Sequence, residues 1–418
     1  MLKEIKISNY KSIQSDTISL GRINVFIGEN GCGKSNILEA LMFASIGETY
    51  ETIDADLLNI NGIRVCKPSL MFSSFKGKAS KKQIEVNMKF SDVEIKCNLM
   101  PENVDSILSK WKKTNEISNL LSSTEISSIE INKKDFFEKI LNDFYGDNSQ
   151  LKLNDSKLSP KAIAAMKNDS DLKKMVMSQI SDYIIEQSKK SKSEELKDFI
   201  IYTLNTEALR GIPEFLISRK GIYGETLDLI IRELNKDELN ELKEYLYTIS
   251  WLDDFYIDSN DNFKHNGYKL NNSKSLLYFQ DKFMSKKNNV FSAENSNEGV
   301  LHILFYLANV ISSKMPRLFA IDNIETSLNP HLCQHVMTKI CELAKEHDKQ
   351  ILITTHNPAI LDGLNLFDDD IRLFEVFRTE IGETKTRRIK LKPNVEGEKY
   401  KLSELWTRGF LGAISEKF

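Results

Sequence analysis

The stretch that decides the fold is RINVFIGENGCGKSNILEALMFAS, residues 22–45. Its apolar run at 23–27, its glycine-rich turn and its amphipathic continuation predict a strand, a phosphate-binding loop and a helix in direct succession. The turn contains G-x-x-x-x-G-K-S at residues 28–35. In this motif backbone N–H groups wrap phosphates at the positive end of the helix, so the sequence predicts a nucleotide site there.

Several residues of this loop are candidate nucleotide ligands. Lys34 is expected to reach the β- and γ-phosphates, and Ser35 is expected to hold Mg²⁺ through its hydroxyl. The remaining candidates in the same turn are Asn30, Gly31, Gly33 and Asn36. A chance match to a flexible turn is the alternative, but the flanking strand and helix are the context that the motif requires.

The residues before the loop predict two strands, at 2–8 and 23–27, separated by a turn around 11–16. Lys11 lies in that turn, where its ammonium either reaches a nucleotide phosphate or is a solvated turn lysine, and spacing alone favours neither. After the loop, period-two alternation over Ile84–Leu99 predicts a hairpin that turns at Ser91-Asp92.

The composition is that of a globular protein of near-neutral charge, with 418 residues, 57 basic and 60 acidic side chains. Basic residues are not in overall excess, so the composition gives no indication that the protein binds nucleic acid. The N-terminus lacks the apolar segment of a signal peptide and no run of 18 apolar residues occurs, so we expect a cytoplasmic protein with no membrane segment. Five cysteines without a C-x-x-C pair suit a reducing compartment and argue against a zinc site.

The organisation predicted is an α/β nucleotide-binding domain, residues 1–100 and 275–418, interrupted by a mainly helical insertion at 101–274. The insertion is rich in Lys, Asn, Ser and Glu. Helical periodicity occurs within it at Lys134–Phe144, Asp171–Lys189, Ser193–Leu204 and Leu227–Ile249. Its lysine clusters are interleaved with acidic residues, which favours a solvated helix face over a phosphate-binding surface.

The C-terminal part predicts a parallel strand–helix–strand unit. Gly299–Ser312 is apolar around most of its circumference and is expected to be a buried helix. A strand at Arg317–Ile321, a helix at Leu332–Lys345 and a strand at Gln350–Thr354 follow. With the opening strand, this order implies a parallel sheet that carries nucleotide chemistry at the carboxyl ends of its strands.

Polar residues at those strand ends are the candidate catalytic and metal-binding groups. Asp322 closes one strand, where its carboxylate can share Mg²⁺ with Ser35, as a Walker B aspartate does. His356 follows the next strand at the same edge, where an imidazole can sense or orient a γ-phosphate. Ser296 and Gly299 precede the buried helix, and a hydroxyl, a glycine backbone and helix N–H groups together make a phosphate-binding end.

Four segments in this order resemble the ABC-type ATPases that include DNA-repair and chromosome-organising proteins and the overcoming-lysogenization-defect nucleases: GENGCGKS (28–35), SNEG (296–299), FAIDNIETSLNP (319–330) and ITTHNPAIL (353–361). The resemblance implies a P-loop ABC-type ATPase head with a mixed or parallel sheet that uses ATP and Mg²⁺. It also implies a homodimer, or a higher homo-oligomer, in which two subunits sandwich two nucleotides.

By that resemblance, Ser296 and Gly299 contact the γ-phosphate held by the other subunit, residues 327–330 cross the interface, and His356 is the switch histidine. One departure matters, because these ATPases usually place a catalytic glutamate directly after the Walker B aspartate, where this chain has Asn323. An amide cannot accept a proton from water. Either Glu325, which a strand-like continuation would point the same way, acts as the base, or hydrolysis is slow; we favour slow hydrolysis.

The sequence is more closely similar to ATPases of bacterial antiphage and abortive-infection systems such as Septu, PARIS and the lactococcal AbiL type. The segments that carry this similarity are 61–75, 209–228 and 402–414. It implies a sensor or scaffold that controls a separate nuclease effector encoded next door, since no nuclease motif is visible here. A RecF-like DNA-repair ATPase that binds nucleic acid is the alternative, and a transporter's nucleotide-binding subunit is weaker.

Overall fold

The computed structural model describes residues 1–76, 82–116, 187–212, 221–245, 249–260, 262–263, 273–391 and 401–411. The chain divides into a larger compact unit of residues 1–88, 96–116 and 195–418 and a smaller one of residues 89–95 and 117–194. The nucleotide-binding motifs all lie in the larger unit. The helix predicted at Lys134–Phe144, and all but the last three residues of the one at Asp171–Lys189, lie outside the described residues.

The described strands are β1 (Leu2–Tyr10), β2 (Ile13–Ser19), β3 (Ile23–Ile27), β4 (Thr52–Ile53), β5 (Ile84–Phe90), β6 (Glu94–Pro101), β7 (Trp111–Glu116), β8 (Ile201–Tyr202), β9 (Leu252–Ile257), β10 (Leu277–Asp281), β11 (Val290–Ser292), β12 (Leu318–Ile321), β13 (Gln350–Thr354), β14 (Ile371–Arg378) and β15 (Thr384–Ile389). The described helices are α1 (Lys34–Thr49), α2 (Ala55–Ile60), α3 (Pro68–Met71), α4 (Thr206–Leu209), α5 (Leu227–Glu233), α6 (Lys236–Glu244), α7 (Glu298–Ile311), α8 (Pro330–Glu346), α9 (Pro358–Leu361) and α10 (Leu402–Thr407). Residues 187–197 are also helical.

The strands form three sheets. The sheet that contains β3, the strand before the predicted phosphate-binding loop, has the order β15-β14-β3-β13-β12-β8. In it β14, β3, β13, β12 and β8 run parallel, and β15 is antiparallel to β14. A second six-stranded sheet has the order β2-β1-β5-β6-β7-β4, and a three-stranded sheet has the order β11-β10-β9. The predicted α/β class, with a mixed sheet built on parallel strands, is confirmed.

Helix α1 lies between the two six-stranded sheets, with contacts to β1, β4 and β7 on one side and to β8 and β13 on the other. Phe43 of α1 packs between the ring of Tyr10, at 6.3 Å, and the ring of Trp111, at 5.0 Å. Truncation of such a buried aromatic side chain to alanine typically costs about 3–5 kcal/mol. The phosphate-binding loop is therefore attached to a helix that is fixed from both sides.

Helix α7 is buried over thirteen of its fourteen residues, so its burial prediction is confirmed. It packs against α8, and the two helices share one apolar core with β3, β12 and β13. The strands predicted at 23–27 and 350–354 occur at those residues, and the hairpin predicted over Ile84–Leu99 occurs as β5 and β6.

The turn predicted around 11–16 is wrong beyond its first two residues. The chain turns at Lys11-Ser12 and continues as β2, which pairs with β1 through Lys6↔Thr17 and Ser8↔Ser15. Its polar residues suggested a turn, but pairing with a neighbouring strand outweighs that local preference, and Ile13 and Ile18 are buried.

Strands also occur within residues 101–274, where helices were predicted. The helix predicted over Ser193–Leu204 ends at residue 197, and β8 follows to become the edge strand beside β12. The single helix predicted over Leu227–Ile249 is interrupted: its described part contains α5 and α6, and residues 246–248 lie outside the described residues. Asn235 separates them because its side chain accepts hydrogen bonds from the first N–H groups of α6, in a capping box with Glu238.

Candidate nucleotide-binding site

The phosphate-binding loop lies between β3 and α1, and close contacts explain its glycines. Gly33 precedes α1 with a φ of 111°, which L side chains rarely adopt. A Cβ at Gly28 would overlap the Val376 carbonyl, and a Cβ at Gly33 would overlap the Thr384 side chain. The loop therefore forms a tight cradle against β14 and β15 that only glycine permits at these two positions.

Lys34 is buried and folds back across the loop. Its Nζ donates to the carbonyl oxygens of Gly28 at 2.8 Å and Glu29 at 3.0 Å, and lies 3.4 Å from Nδ1 of His356. Burial lowers the pKa of Lys34, while neighbouring Cys32 and the carboxylates of the site raise it. The ammonium is thus held at the centre of the loop, where an anion is favoured.

Ser35 and Asp322, the two residues predicted to share a metal ion, are in direct contact. The Ser35 hydroxyl donates to Oδ2 of Asp322 at 3.0 Å, and the Thr354 hydroxyl donates to Oδ1 of the same carboxylate. The N–H of Asp322 donates to the Tyr202 carbonyl at 2.8 Å. The carboxylate is therefore held from α1 and β13, and the backbone of Asp322 is held from β8.

The chain does not continue as a strand after Asp322, so that part of the sequence interpretation is wrong. Asn323 has a φ of 56° and Ser327 a φ of 61°, and residues 324–327 form turns. The N–H of Asn323 donates to the Thr354 hydroxyl at 2.9 Å, which holds the left-handed residue in place. Asparagine tolerates this conformation better than most residues, and this accounts for Asn323 in physical terms.

The turn brings Glu325 to His356. Oε1 of Glu325 accepts a hydrogen bond from the backbone N–H of His356 at 2.8 Å, and Oε2 is buried with no hydrogen-bond partner among the described residues. Burial and, next, the charge of Lys34 lower the pKa of His356, whereas Glu325 raises it. An imidazole, a carboxylate and an ammonium thus meet at one edge of the sheet.

Ser296 lies on the loop between β11 and α7, and Gly299 lies in the first turn of α7. The Ser296 hydroxyl is buried and donates to the Ala293 carbonyl at 2.8 Å. The N–H of Gly299 donates at 2.8 Å to the side chain of Asn297, which caps α7. Both predicted phosphate ligands are therefore bonded within their own loop in this structure.

Lys11 lies beside α1, where its ammonium pairs with the buried carboxylate of Glu39. The other oxygen of Glu39 accepts from Nε of Arg64 at 2.7 Å, and Nη2 of Arg64 lies 3.3 Å from the side-chain oxygen of Asn36. Lys11, Asn36 and Arg64 line an open cavity of about 610 Å³. The turn lysine is therefore ion-paired and faces a cavity at the first turn of α1.

Residues 1–361 of the chain match the family model described as AAA ATPase domain (AAA_15). This match spans most of the chain and includes the phosphate-binding loop, Asp322 and His356. The chain belongs to the AAA ATPase domain family.

This AAA ATPase is also similar to curated DNA replication and repair proteins, RecF. It is 35% identical to that of Alkaliphilus oremlandii over 63 residues, 15% of this chain and 17% of the relative, and 42% identical to that of Clostridium tetani over 52 residues, 12% and 14% of the two chains. The matched segments thus span about a sixth of the relatives' length.

Among solved structures, the AAA ATPase is similar to an SMC head bound to the C-winged helix domain of ScpA, with a TM-score of 0.49 and 14% identity over 94% of this chain and 98% of the other. It is also similar to the SMC head domain from Thermotoga maritima, with a TM-score of 0.41 and 10% identity over 94% and 99% of the chains. Across the described part of the AAA ATPase, no helix combines the length and apolar character needed to cross a membrane.

Two arginines of the AAA ATPase site were missed by the sequence interpretation. Arg64 reaches Asn36, and Arg378, at the end of β14, donates from Nε to the Gly31 carbonyl at 3.2 Å. A second cavity, of about 280 Å³, is lined by Asn30, Gly31 and Arg378 among others. Motif spacing gave no signal for either arginine, because both approach the loop only through the tertiary fold.

Proposed function

We propose that this AAA ATPase binds Mg²⁺–ATP at its phosphate-binding loop and that two copies close around two nucleotides. The observation that carries the proposal is the meeting of five side chains at one edge of the parallel sheet: Lys34, Ser35, Asp322, Glu325 and His356. A buried ammonium, a hydroxyl–carboxylate pair and a carboxylate beside an imidazole are the groups that triphosphate chemistry uses.

The residues present fit a magnesium ion. Ser35 and Asp322 offer a hydroxyl and a carboxylate, the hard oxygen ligands that Mg²⁺ prefers, and Thr354 orients that carboxylate. When bound, the ion neutralises phosphate charge. The Thr354 hydroxyl also holds the backbone of Asn323, so one side chain positions both the metal-binding carboxylate and the turn that follows it.

The loop and the neighbouring cavity fit the rest of the nucleotide. The glycine cradle at Gly28 and Gly33, together with Asn30, Gly31 and the Lys34 ammonium, suits the phosphates, because backbone N–H groups and the helix dipole favour anions there. Beyond them, the 610 Å³ cavity is large enough for a nucleoside.

Lys11, Asn36, Arg64 and Arg378 are among the polar residues that line this nucleoside cavity. The Glu39 carboxylate partly neutralises Lys11 and Arg64, because it binds both of them. The cavity therefore offers directional hydrogen bonds from Asn36 and Arg64, and Arg378, which donates to the carbonyls of Gly31 and Gly382, adds a positive charge to its lining.

Hydrolysis in this proposal depends on Glu325 rather than on Asn323. The Glu325 carboxylate lies beside His356, and its second oxygen is buried with no hydrogen-bond partner among the described residues. The turn must therefore open this oxygen to the attacking water before it can accept a proton. Asn323 instead shapes the turn through its left-handed backbone. We expect turnover to be slow, because the usual base directly follows the Walker B aspartate, whereas Glu325 lies two residues after that position.

A second subunit would supply a phosphate group for residues 296–299 to bind. Ser296 and Gly299 lie at the N-terminus of α7, an end that favours an anion, and ATP bound to another copy would present one. The Ser296 hydroxyl must then leave the Ala293 carbonyl to reach that phosphate. This exchange of one hydrogen bond for another makes association dependent on the nucleotide.

The cellular role that we propose is that of a cytoplasmic sensor or scaffold in an antiphage system, which holds or licenses a separate nuclease effector encoded next door. The similarity of segments 61–75, 209–228 and 402–414 to abortive-infection ATPases supports this role. A RecF-like role in DNA repair, with nucleic acid as the partner, is the second candidate. The 35% identity to RecF over 63 residues supports it.

Nucleotide binding is tested with Lys34→Ala and fluorescent ATP. Loss of the ammonium leaves the phosphate charge without its main side-chain partner, so we expect ATP binding to become undetectable. Lys345→Ala, which removes an exposed lysine at the end of α8, is the matched control and should bind as the unaltered protein does. Wild-type affinity in Lys34→Ala would refute the site.

The two cellular roles are separated by co-purification with the product of the neighbouring gene and by binding of labelled DNA. Recovery of a nuclease in a stable complex, with no DNA binding, supports the defence role. Tight ATP-dependent DNA binding without a nuclease partner contradicts that role and supports the repair role.

A further inference from the structure

The segment at 205–211 contacts the two regions that would face a second subunit, the N-terminal part of α7 and the turn that contains Ser327. Strand β8 leads into it beside the Walker B strand β12, and Asn205 caps α4 through the N–H groups of Glu207 and Ala208. The Thr206 hydroxyl lies 3.3 Å from Nε2 of His302 on α7 and 3.4 Å from the hydroxyl of Ser327. One short segment therefore contacts both α7 and the turn that follows Asp322.

Arg210, at the end of the segment, is the charged centre of these contacts. Its Nη1 donates to Glu207 at 2.9 Å, and its Nη2 lies 3.4 Å from the Ser296 carbonyl and 3.9 Å from Oε1 of Glu298. The hydroxyl of Ser273 donates to the Arg210 carbonyl at 2.6 Å, which fixes the backbone. The guanidinium is thus held against the loop that contains Ser296.

The negative charge of Glu298 is the reason that a cation is needed beside the Ser296 loop. It occupies the first turn of α7, and its Oε2 accepts from the Ser327 hydroxyl at 3.0 Å. A carboxylate at this position repels any further anion that approaches the same helix end. A cation beside it reduces that repulsion, and Arg210, whose charge is shared with Glu207, is the cation that lies 3.9 Å from Glu298.

We propose that Arg210 is a positioning residue for association: it neutralises Glu298 and holds the Ser296 loop so that the N-terminus of α7 can receive the triphosphate bound to a second copy of this chain. The inference rests on the proposed nucleotide sandwich. It assigns to the segment at 205–211 the task of keeping the Ser296 loop and the Ser327 turn in one arrangement, through charge as well as through hydrogen bonds.

The test compares Arg210→Gln, which keeps hydrogen-bonding groups but removes the charge, with Arg210→Lys, which keeps the charge. ATP-dependent association is measured by sedimentation velocity, and ATP binding by the single chain is measured separately. We expect Arg210→Gln to weaken association at least tenfold with little change in ATP affinity or in the unfolding midpoint. Arg210→Lys should recover most of the loss. Arg232→Gln, on an exposed part of α5, is the matched control.

The charge argument is tested further by Glu298→Gln in the Arg210→Gln background. Removal of the unpaired carboxylate should restore association to within about threefold of the unaltered protein, which a merely structural role of Arg210 does not predict. If the unaltered protein associates with ATP and Arg210→Gln associates equally well, or if the double variant stays defective, the role of Arg210 is wrong. If the unaltered protein itself fails to associate, the nucleotide sandwich is wrong.

Discussion

Glu325→Gln removes the proposed general base but keeps the hydrogen bond that holds the turn against His356. In the structure, Oε1 of Glu325 accepts the backbone N–H of His356 at 2.8 Å, and glutamine keeps a side-chain oxygen for that bond. The other oxygen is buried without a hydrogen-bond partner in the described part of the chain, and in our proposal it is the one that takes a proton from water. Glutamine removes that capacity and leaves the turn in place.

The size of the effect follows from these contacts. General-base assistance is typically worth 10²–10⁴-fold, so we expect turnover to fall by that factor, about 3–5 kcal/mol of transition-state stabilisation. Because the hydrogen bond to His356 is kept, the free energy of unfolding should change by less than about 1 kcal/mol. Loss of the carboxylate also removes a charge that raises the pKa of His356, so this pKa should fall further.

The assay is phosphate release under single-turnover conditions, with fluorescent ATP binding measured on the same preparation. Glu346→Gln, an exposed glutamate at the end of α8, is the matched control and should be unaffected. Turnover in Glu325→Gln equal to that of the unaltered protein, with ATP still bound, would refute the assignment. His356 or another group would then have to position the water.

Three further predictions concern backbone conformation and buried charge. Gly33→Ala forces a Cβ against Thr384, so ATP binding in a titration should be lost; binding within twofold of the unaltered protein would contradict the cradle. Asn323→Glu should lower the free energy of unfolding by about 1 kcal/mol in urea, because the residue is left-handed, whereas Asn323→Gly should not; equal midpoints would exclude strain. Burial lowers the pKa of His302 to about 4, so the unfolded state takes up a proton near pH 6.5 while the folded state does not. Stability should therefore fall by about 2 kcal/mol between pH 7 and 5, and His302→Gln, unlike the exposed control His331→Gln, should remove this part of the pH dependence; parallel curves would contradict it.

The parts of the fold that the sequence predicts well are those in which an apolar run ends in a polar motif. Strands β3, β12 and β13 and helix α7 are of this kind, because they are buried on all sides and each contains few polar residues. The contact between Ser35 and Asp322 was also predictable, since the carboxyl ends of parallel strands meet at one edge.

The features that the sequence could not predict depend on contacts with residues that are distant along the chain. Strand β8 has two residues, and it is a strand because β12, more than a hundred residues later, pairs with it. The left-handed Asn323 follows from the Thr354 hydroxyl beneath its N–H, and it turns the chain so that Glu325 meets His356. Neither contact leaves a periodic signal in the sequence.

The central claim, that two copies close around two nucleotides, is tested most directly by sedimentation velocity of the Glu325→Gln protein with and without Mg²⁺–ATP. We expect a change from the 48.0 kDa mass of one chain to twice that mass when ATP is added. Gly299→Asp, which adds a carboxylate at the N-terminus of α7, should stay at the single-chain mass while ATP is still bound. A single-chain mass for the Glu325→Gln protein at saturating ATP, or association that Gly299→Asp leaves unchanged, would contradict the claim.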